Sequence, residues 1–212
     1  RHDNINMDPV VRAFAQHAGA TAVIDAGDDT SAGQPWEAFS LESLDDDLGD
    51  LGDAIMVAGN HDHGRFVSGY LAKRGWTHLD HEQADKFGVR FFGVDDPRAS
   101  GLGAFIPVKG PTFAEESSTL ADEVCALDAK DQRVATVVVH DAKMARAALD
   151  RGCTDLVVGG HVHDEAAEAE RFGGLQHARR QLGADVLLLP VVADDERDLG
   201  AVVVDGAEAG ER

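Results

Sequence analysis

Short apolar runs alternate with amphipathic or polar stretches along most of the chain. The apolar runs are rich in valine and alanine and predict strands at 21–26, 54–58, 88–94, 134–139, 155–159, 186–192 and 201–205. The stretches between them predict helices at 8–17, 35–48, 64–74, 114–130, 143–151 and 164–182. Short, nearly continuous apolar runs are typical of strands covered on both faces. The alternation therefore predicts a layered α/β fold.

The whole chain, 1–212, is predicted to be one domain, because no repeat and no Pro-rich or Gly/Ser-rich linker interrupts this pattern. Hydrophobic residues make up 43% of the sequence, which is typical of a globular protein. Glycine and proline concentrate in the segment 95–113, which predicts a long loop. The apolar runs are far shorter than the roughly 20 residues that cross a bilayer.

The formal net charge of −20 changes which partners are plausible. A chain this acidic is not expected to present a broad nucleic-acid-binding surface. A phosphate ester would also be repelled at long range, so bound cations would have to attract it. The two cysteines, Cys125 and Cys153, lie in no CxxC or zinc pattern. We therefore predict no disulfide framework and no structural zinc, and interpret both as small core residues.

Residues that can bind metals follow four of the predicted strands, in the strings Gly27-Asp28, Gly59-Asn60-His61-Asp62, His140 and Gly160-His161-Val162-His163. A carboxylate can bridge two cations, while neutral imidazole and amide ligands complete the coordination without adding charge. We therefore predict Asp28 as the bridging ligand. The predicted terminal ligands are Asn60, His140, His161 and His163.

Spacing and neighbours refine two of these assignments. In an extended chain, His161 and His163 would point to the same face, so each could meet one of two nearby metals. His61 precedes Asp62, a carboxylate able to orient and charge the ring. This arrangement favours His61 as a general acid that protonates an alkoxide leaving group.

Each string also has a simpler structural interpretation when it is taken alone. Asp28 could cap a helix, Asn60 could occupy a turn, and His140 could be a hydrogen-bonded structural histidine. The roles of two arginines stay open. Arg65 and Arg98 could bind a substrate phosphate as forked donors, or could form surface salt bridges on an acidic protein.

Taken together and in order, the strings resemble the motifs of the calcineurin-like metallophosphoesterase superfamily, which run Asp-x-His, Gly-Asp, Gly-Asn-His-Asp/Glu, a lone His and Gly-His-x-His. His2 occupies the histidine position of the first motif, and the strings described above supply the others. The segment 93–98, Gly-Val-Asp-Asp-Pro-Arg, is similar to a stretch found in bacterial members. The resemblance extends from His2 to His163.

The resemblance implies a layered β-sandwich of two mixed sheets flanked by helices and a site with two divalent cations, manganese in preference to iron, zinc or nickel. One cation would be bound by His2, Asp28 and His163, and the other by Asp28, Asn60, His140 and His161. A bridging hydroxide would attack phosphorus, His61 with Asp62 beside it would protonate the leaving oxygen, and the substrate would be a small phosphate ester, a diester in preference to a monoester.

Three departures from the family pattern accompany this resemblance. The sequence begins inside the first motif, so we expect the motif's Asp and the first strand to lie upstream of Arg1. Some relatives are membrane-attached, and such upstream residues would allow attachment here, whereas this fragment itself is expected to be soluble. Ser31 stands where members often carry an Asp, and 164–212 is a divergent C-terminal part of the same domain.

Two other functions are compatible with parts of the sequence. His61-Asp62-His63 is similar to part of the metallo-β-lactamase ligand string, but Gly59 stands where that string requires a histidine. The domain could also be a degenerate metal-site scaffold that acts as a binding or regulatory module.

Overall fold

The computed structural model describes residues 1–102, 104–161 and 201–205. Five α-helices form in this part of the chain: α1 (Asp8–Ala18), α2 (Ala38–Leu48), α3 (Phe66–Ala72), α4 (Phe113–Asp128) and α5 (Arg146–Asp150). The strands are β1 (Ala20–Asp25), β2 (Asp53–Met56), β3 (Thr77–His78), β4 (Glu82–Lys86), β5 (Val89–Val94), β6 (Ser100–Gly101), β7 (Ala104–Phe105), β8 (Thr136–Asp141), β9 (Leu156–Gly160) and β10 (Ala201–Asp205). Short 3-10 turns precede α1, α2 and α5 at Ile5–Met7, Pro35–Glu37 and Ala142–Ala145.

Two four-stranded sheets form the centre of the fold, in the orders β10-β1-β2-β3 and β4-β5-β8-β9. Both are mixed, because β10 and β4 run antiparallel to their neighbours while the other pairs are parallel. The predicted fold class, two mixed sheets flanked by helices, is confirmed.

Three buried clusters of apolar side chains define the layers. Ile24, Ile55, Leu79, Phe91 and Val138 pack between the two sheets. A second cluster joins the first sheet to α1, α2 and α3, and a third joins the second sheet to α4 and α5. The order of layers is therefore helices, sheet, sheet, helices, and the central strands, above all β8, are buried on both faces as their apolar runs predict.

Local sequence signals explain where the principal helices begin and end. Pro9 lies in the first turn of α1, and Gly19 ends that helix in the left-handed conformation at φ 70°. Thr112 caps α4 in a reciprocal capping box with Glu115. In the described part of the chain no helix has both the length and the hydrophobicity needed to cross a bilayer.

Most predicted elements form within a few residues of their expected positions, and the differences have local causes. The exposed, polar β4 was not predicted, because its segment Glu82-Gln-Ala-Asp-Lys86 lacks an apolar face. The segment 95–113 contains the short β6 and β7 instead of being a loop throughout. The helix predicted at 64–74 is shorter, at Phe66–Ala72, and His140 lies inside β8 instead of after it. The helix predicted at 164–182 and the strand at 186–192 lie outside the described residues.

The two cysteines form a disulfide, and the expectation of unpaired core thiols was wrong. Cys125 lies in α4 and Cys153 lies just before β9, with their Cα atoms 4.9 Å apart. Both contribute to the apolar cluster beneath α4 and α5. Two cysteines without a recognisable spacing pattern cannot reveal this pairing, because it depends on how α4 packs against the second sheet.

Removing the disulfide in Cys125→Ala/Cys153→Ala is expected to lower the free energy of unfolding by about 3–4 kcal/mol. The bond closes a loop spanning 28 residues, and its loss restores conformational freedom to the unfolded chain. Urea unfolding of the oxidised wild type and the variant measures the difference. Reductant should destabilise the wild type alone, and equal midpoints for the two oxidised proteins would contradict the expectation.

Candidate metal centre

The loops that follow β1, β2, β8 and β9 meet at one edge of the two sheets. The His140 Nδ1 atom in β8 lies 2.8 Å from the carbonyl oxygen of Ala26, which follows β1. This hydrogen bond joins the second sheet to the first, across 114 residues of sequence. It also fixes the hydrogen of the imidazole ring on Nδ1 and directs Nε2 into the site.

Three potential ligand atoms surround Nε2 of His140. Asp28 Oδ2 lies at 3.1 Å, Asn60 Oδ1 at 3.0 Å and His161 Nδ1 at 3.0 Å. His140 is 0% exposed and Asp28 is 1% exposed, so water competes little for these atoms. Because Nδ1 is committed to Ala26, His140 offers at most one hydrogen to three neighbours. Such a concentration of lone pairs around one point suits a bound cation.

A second group of potential ligands shares Asp28. The His2 Nε2 atom lies 3.5 Å from Asp28 Oδ2, and the rings of His2 and His61 meet edge to face with centroids 4.5 Å apart. The ligand atoms of His2, Asp28 and His61 lie within 4.8 Å of one another, as do those of Asp28, His140 and His161. Asp28 is therefore placed between two histidine groups, as a bridging carboxylate requires.

Hydrogen bonds orient His61 and Asp28 towards each other. The His61 Nδ1 atom lies 2.8 Å from the carbonyl oxygen of Ser31, so this nitrogen donates, and Nε2 is the ring nitrogen left to bind a cation or to carry a proton. The backbone N–H of His61 donates to Asp28 Oδ1 at 2.8 Å. The second oxygen of Asp28 is left to the histidine groups.

Asp62 does not contact the His61 ring, contrary to the role expected for it. Its carboxylate accepts hydrogen bonds from the backbone N–H groups of Asp28, Asp29, Thr30 and Gly59 and from the Thr30 hydroxyl. Burial first, and then the charges of Asp29 and Asp28, raise the pKa of Asp62 to about 7. Asp62 thus organises the loop that carries Asp28 and is not a hydrogen-bond partner of the His61 ring.

Electrostatics keep the principal groups in forms that bind cations. Although burial opposes it, His140 through its hydrogen bond and charge holds the pKa of Asp28 below its usual value. Burial, and then the charges of His140 and Arg98, lower the pKa of His161. Burial also opposes protonation of His140, but the Asp28 carboxylate raises its pKa. Asp28 is therefore anionic and His161 neutral near pH 7, and the field that favours a proton on His140 also favours a cation.

Left-handed backbone conformations concentrate at this site. His2, Asp3, Asp28 and His161 have φ values of 46°, 62°, 63° and 67°. This conformation is unfavourable for residues other than glycine and persists only when the surrounding structure enforces it. The strained residues include three of the candidate ligands, which is the pattern expected of a functional site.

Two glycines allow the loops after β1 and β2 to touch through their backbones. A Cβ atom on Gly27 would overlap the backbone of Gly59, and a Cβ atom on Gly59 would overlap Asp28 Oδ1 and its backbone nitrogen. The glycines that precede Asp28 and Asn60 in their motifs are therefore needed for close approach of the two loops.

Gly59→Ala is expected to displace Asp28 from Asn60, weaken metal binding at least about tenfold and destabilise the protein by about 1–3 kcal/mol. Metal titration and urea unfolding measure the two effects. Gly69→Ala is the matched control, because Gly69 lies in α3 with no atom within 4 Å of an added Cβ. It should stabilise the protein by about 0.5–1 kcal/mol and leave metal binding unchanged. Normal metal affinity in Gly59→Ala would contradict the expectation.

The structure brings six of the seven residues predicted as ligands or as the general acid into one place: His2, Asp28, Asn60, His61, His140 and His161. The seventh, His163, lies outside the described residues. The sequence did not reveal Glu37, which is fully buried and accepts hydrogen bonds from the backbone N–H groups of Ser31, Ala32 and Gln34. The Gln34-Pro-Trp-Glu37 capping box was the available signal for it.

The segment 95–100 supports Asn60 from the other side. Asp95 accepts a hydrogen bond from the N–H of Ala58 at 2.7 Å, and the N–H of Ser100 donates to the carbonyl of Asn60 at 2.8 Å. His78 lies 2.9 Å from both carboxylate oxygens of Asp95 and holds that carboxylate in place. The segment that follows β5, in the second sheet, therefore positions Asn60, a candidate ligand that follows β2 in the first sheet.

The described part of the chain is thus an α/β protein with two mixed sheets and a buried carboxylate–imidazole cluster at their common edge. No family model matches the sequence, and no curated protein matches it. Among solved structures it is similar to the 5'-nucleotidase precursor from Thermus thermophilus, with a TM-score of 0.40 and 17% sequence identity over 66% of this chain and 32% of that chain. The chain therefore spans about a third of the length of that nucleotidase.

Proposed function

We propose that this protein is a binuclear metal-dependent phosphoesterase that hydrolyses small phosphate esters, diesters in preference to monoesters. The observation that supports this function is the convergence of Asp28, Asn60 and His161 on Nε2 of His140, a site with more lone pairs than hydrogens. The order of the motifs, from His2 to His163, supports the phosphoesterase class, and the preference for diesters rests only on the habit of the family that these motifs resemble.

The residues present fit a pair of divalent transition-metal ions. Carboxylate and amide oxygens favour manganese, and imidazole also suits iron, zinc and nickel. His2 and Asp28 would hold one ion, together with His163 by the resemblance. Asp28, Asn60, His140 and His161 would hold the other. Ions bound there supply Lewis-acid charge and a water of lowered pKa.

The chain's own residues perform the remaining tasks. Asp28 gives the cluster its negative charge, and the Ala26 carbonyl keeps His140 in the tautomer that presents Nε2. The Ser31 carbonyl similarly holds His61, whose Nε2 can carry the proton for an oxygen leaving group. Asp62 acts by fixing the loop of Asp28.

Hydrolysis assays on protein stripped of metal and then reloaded with Mn²⁺ test the proposal. We expect turnover of bis(p-nitrophenyl) phosphate that requires added metal, is abolished by EDTA and exceeds turnover of p-nitrophenyl phosphate. Turnover that survives complete removal of metal would overturn the metal-dependent mechanism. Faster monoester hydrolysis would overturn the diester preference, and metal binding without any turnover would favour the scaffold alternative.

A further inference from the structure

Arg98 lies beside the ligand cluster without belonging to it. Its Nη2 atom is 3.2 Å from Oδ2 of Asp141, the residue that directly follows His140 in β8. The guanidinium group is therefore held to the residue that follows one candidate ligand, His140, while the backbone N–H of Ser100, two positions after Arg98, donates to another, Asn60.

Buried partners fix the plane of this guanidinium group. Asp96 accepts hydrogen bonds from Nε and Nη2 of Arg98, and the side chains of Asp96 and Asp141 are only 0% and 6% exposed. The guanidinium carbon lies 4.5 Å from the centroid of the Phe113 ring. This arrangement is unlike a surface salt bridge, because both carboxylates are withdrawn from water and the arginine has already lost its conformational freedom.

One side of the guanidinium remains available. Nε and Nη2 are engaged, whereas Nη1 makes no hydrogen bond with any residue in the described segments, and the Arg98 side chain is 31% exposed. By comparison, Arg65 is exposed and forms no ion pair within the described residues. Arg98 thus combines a fixed orientation with two N–H donors, on Nη1, that no residue of the described segments engages.

We propose that Arg98 is a substrate-binding residue, whose Nη1 donates hydrogen bonds to the non-bridging oxygens of the phosphoryl group. This inference rests on the proposed function, since it assigns the substrate's phosphoryl group to the edge of the same site. The two carboxylates of Asp96 and Asp141 outweigh the single positive charge of Arg98, so its contribution is directional recognition of a tetrahedral oxyanion and not long-range attraction.

The test is the affinity of Mn²⁺-loaded protein for inorganic phosphate, measured by calorimetry in the wild type and in Arg98→Lys and Arg98→Gln. Lysine keeps the charge but loses the planar fork, and glutamine loses both. We expect about 10- to 100-fold weaker phosphate binding in each variant, an equal rise in KM, and unchanged metal content. Arg90→Lys is the matched control, because Arg90 also forms two hydrogen bonds with one carboxylate, that of Asp85. Arg90 lies at the start of β5, whereas Arg98 follows the end of that strand. It should behave as the wild type.

The outcomes separate this inference from the proposed function. Unchanged phosphate affinity in both Arg98 variants would overturn the inference, and so would weaker binding that merely follows loss of metal. Wild-type protein that binds no phosphate would also overturn it. Phosphate binding that depends on Arg98 in a protein that hydrolyses no ester would support the inference and contradict the proposed function.

Discussion

Replacing Asp28 by asparagine is expected to abolish stoichiometric metal binding and to lower kcat/KM for phosphodiester hydrolysis by roughly a thousandfold or more. Asp28 belongs to both candidate ligand groups, so its loss affects both. An asparagine side chain has nearly the same shape but carries no charge and cannot bridge two cations through anionic oxygens. Elemental analysis after dialysis and steady-state kinetics measure the two effects.

The stability of the folded protein against unfolding tests the same prediction without an activity assay. Metal that binds only the folded state should stabilise the wild type by about 2.7 kcal/mol at 100 times its Kd, and should leave Asp28→Asn unaffected. Asp25→Asn is the matched control. Asp25 is also buried, three positions upstream in the same chain segment, and burial raises its pKa well above the usual value. Because burial already disfavours the charged form of Asp25, its replacement by a neutral amide should preserve metal binding. Equal metal content in Asp28→Asn and the wild type would refute the bridging role.

His61→Ala is expected to reduce kcat by about 10²–10⁴-fold for substrates with alkyl leaving groups, while the metal content stays at the wild-type value. The reduction should be much smaller for bis(p-nitrophenyl) phosphate, because p-nitrophenolate leaves without being protonated. The comparison separates a general acid from a ligand, which is needed because His61 lies within 4.8 Å of the ligand atoms of His2 and Asp28.

The opposite pattern would show that His61 is a ligand. Loss of metal in His61→Ala, with equal losses for alkyl and p-nitrophenyl leaving groups, would contradict the general-acid role. His81→Ala is the control, because His81 pairs with Glu116 and Glu123 on α4 and lies outside both ligand groups. Both its metal content and its leaving-group dependence should equal those of the wild type.

The layered fold could be predicted because its central strands are marked by apolar runs. Val137, Val138 and Val139 are buried on the two faces of β8, and Ile24 and Ile55 pack between the sheets, as their short runs predict. The strand β4 could not be predicted in the same way. It lies at a sheet edge with exposed polar side chains, and only its pairing with β5 keeps it extended.

Asp28, Asn60 and His161 could be predicted because each follows a glycine at the end of a predicted strand, whereas His2 and His140 were predicted only from their places in the order of the motifs. The atoms that orient them could not. His140 and His61 are held by the carbonyl groups of Ala26 and Ser31, and a backbone carbonyl leaves no mark on the sequence. Asp62 shows the converse error, because its neighbour in sequence suggested a contact that the fold directs to the loop of Asp28 instead.

The hydrogen bond between His140 and Ala26 has a consequence for the order of folding events. The candidate ligands come from both sheets and span the chain from His2 to His161, so the site is complete only after the two sheets have docked. Contacts formed this late contribute little to the folding transition state. Bound metal should therefore slow unfolding without accelerating folding, and its protective effect would be on the lifetime of the native state.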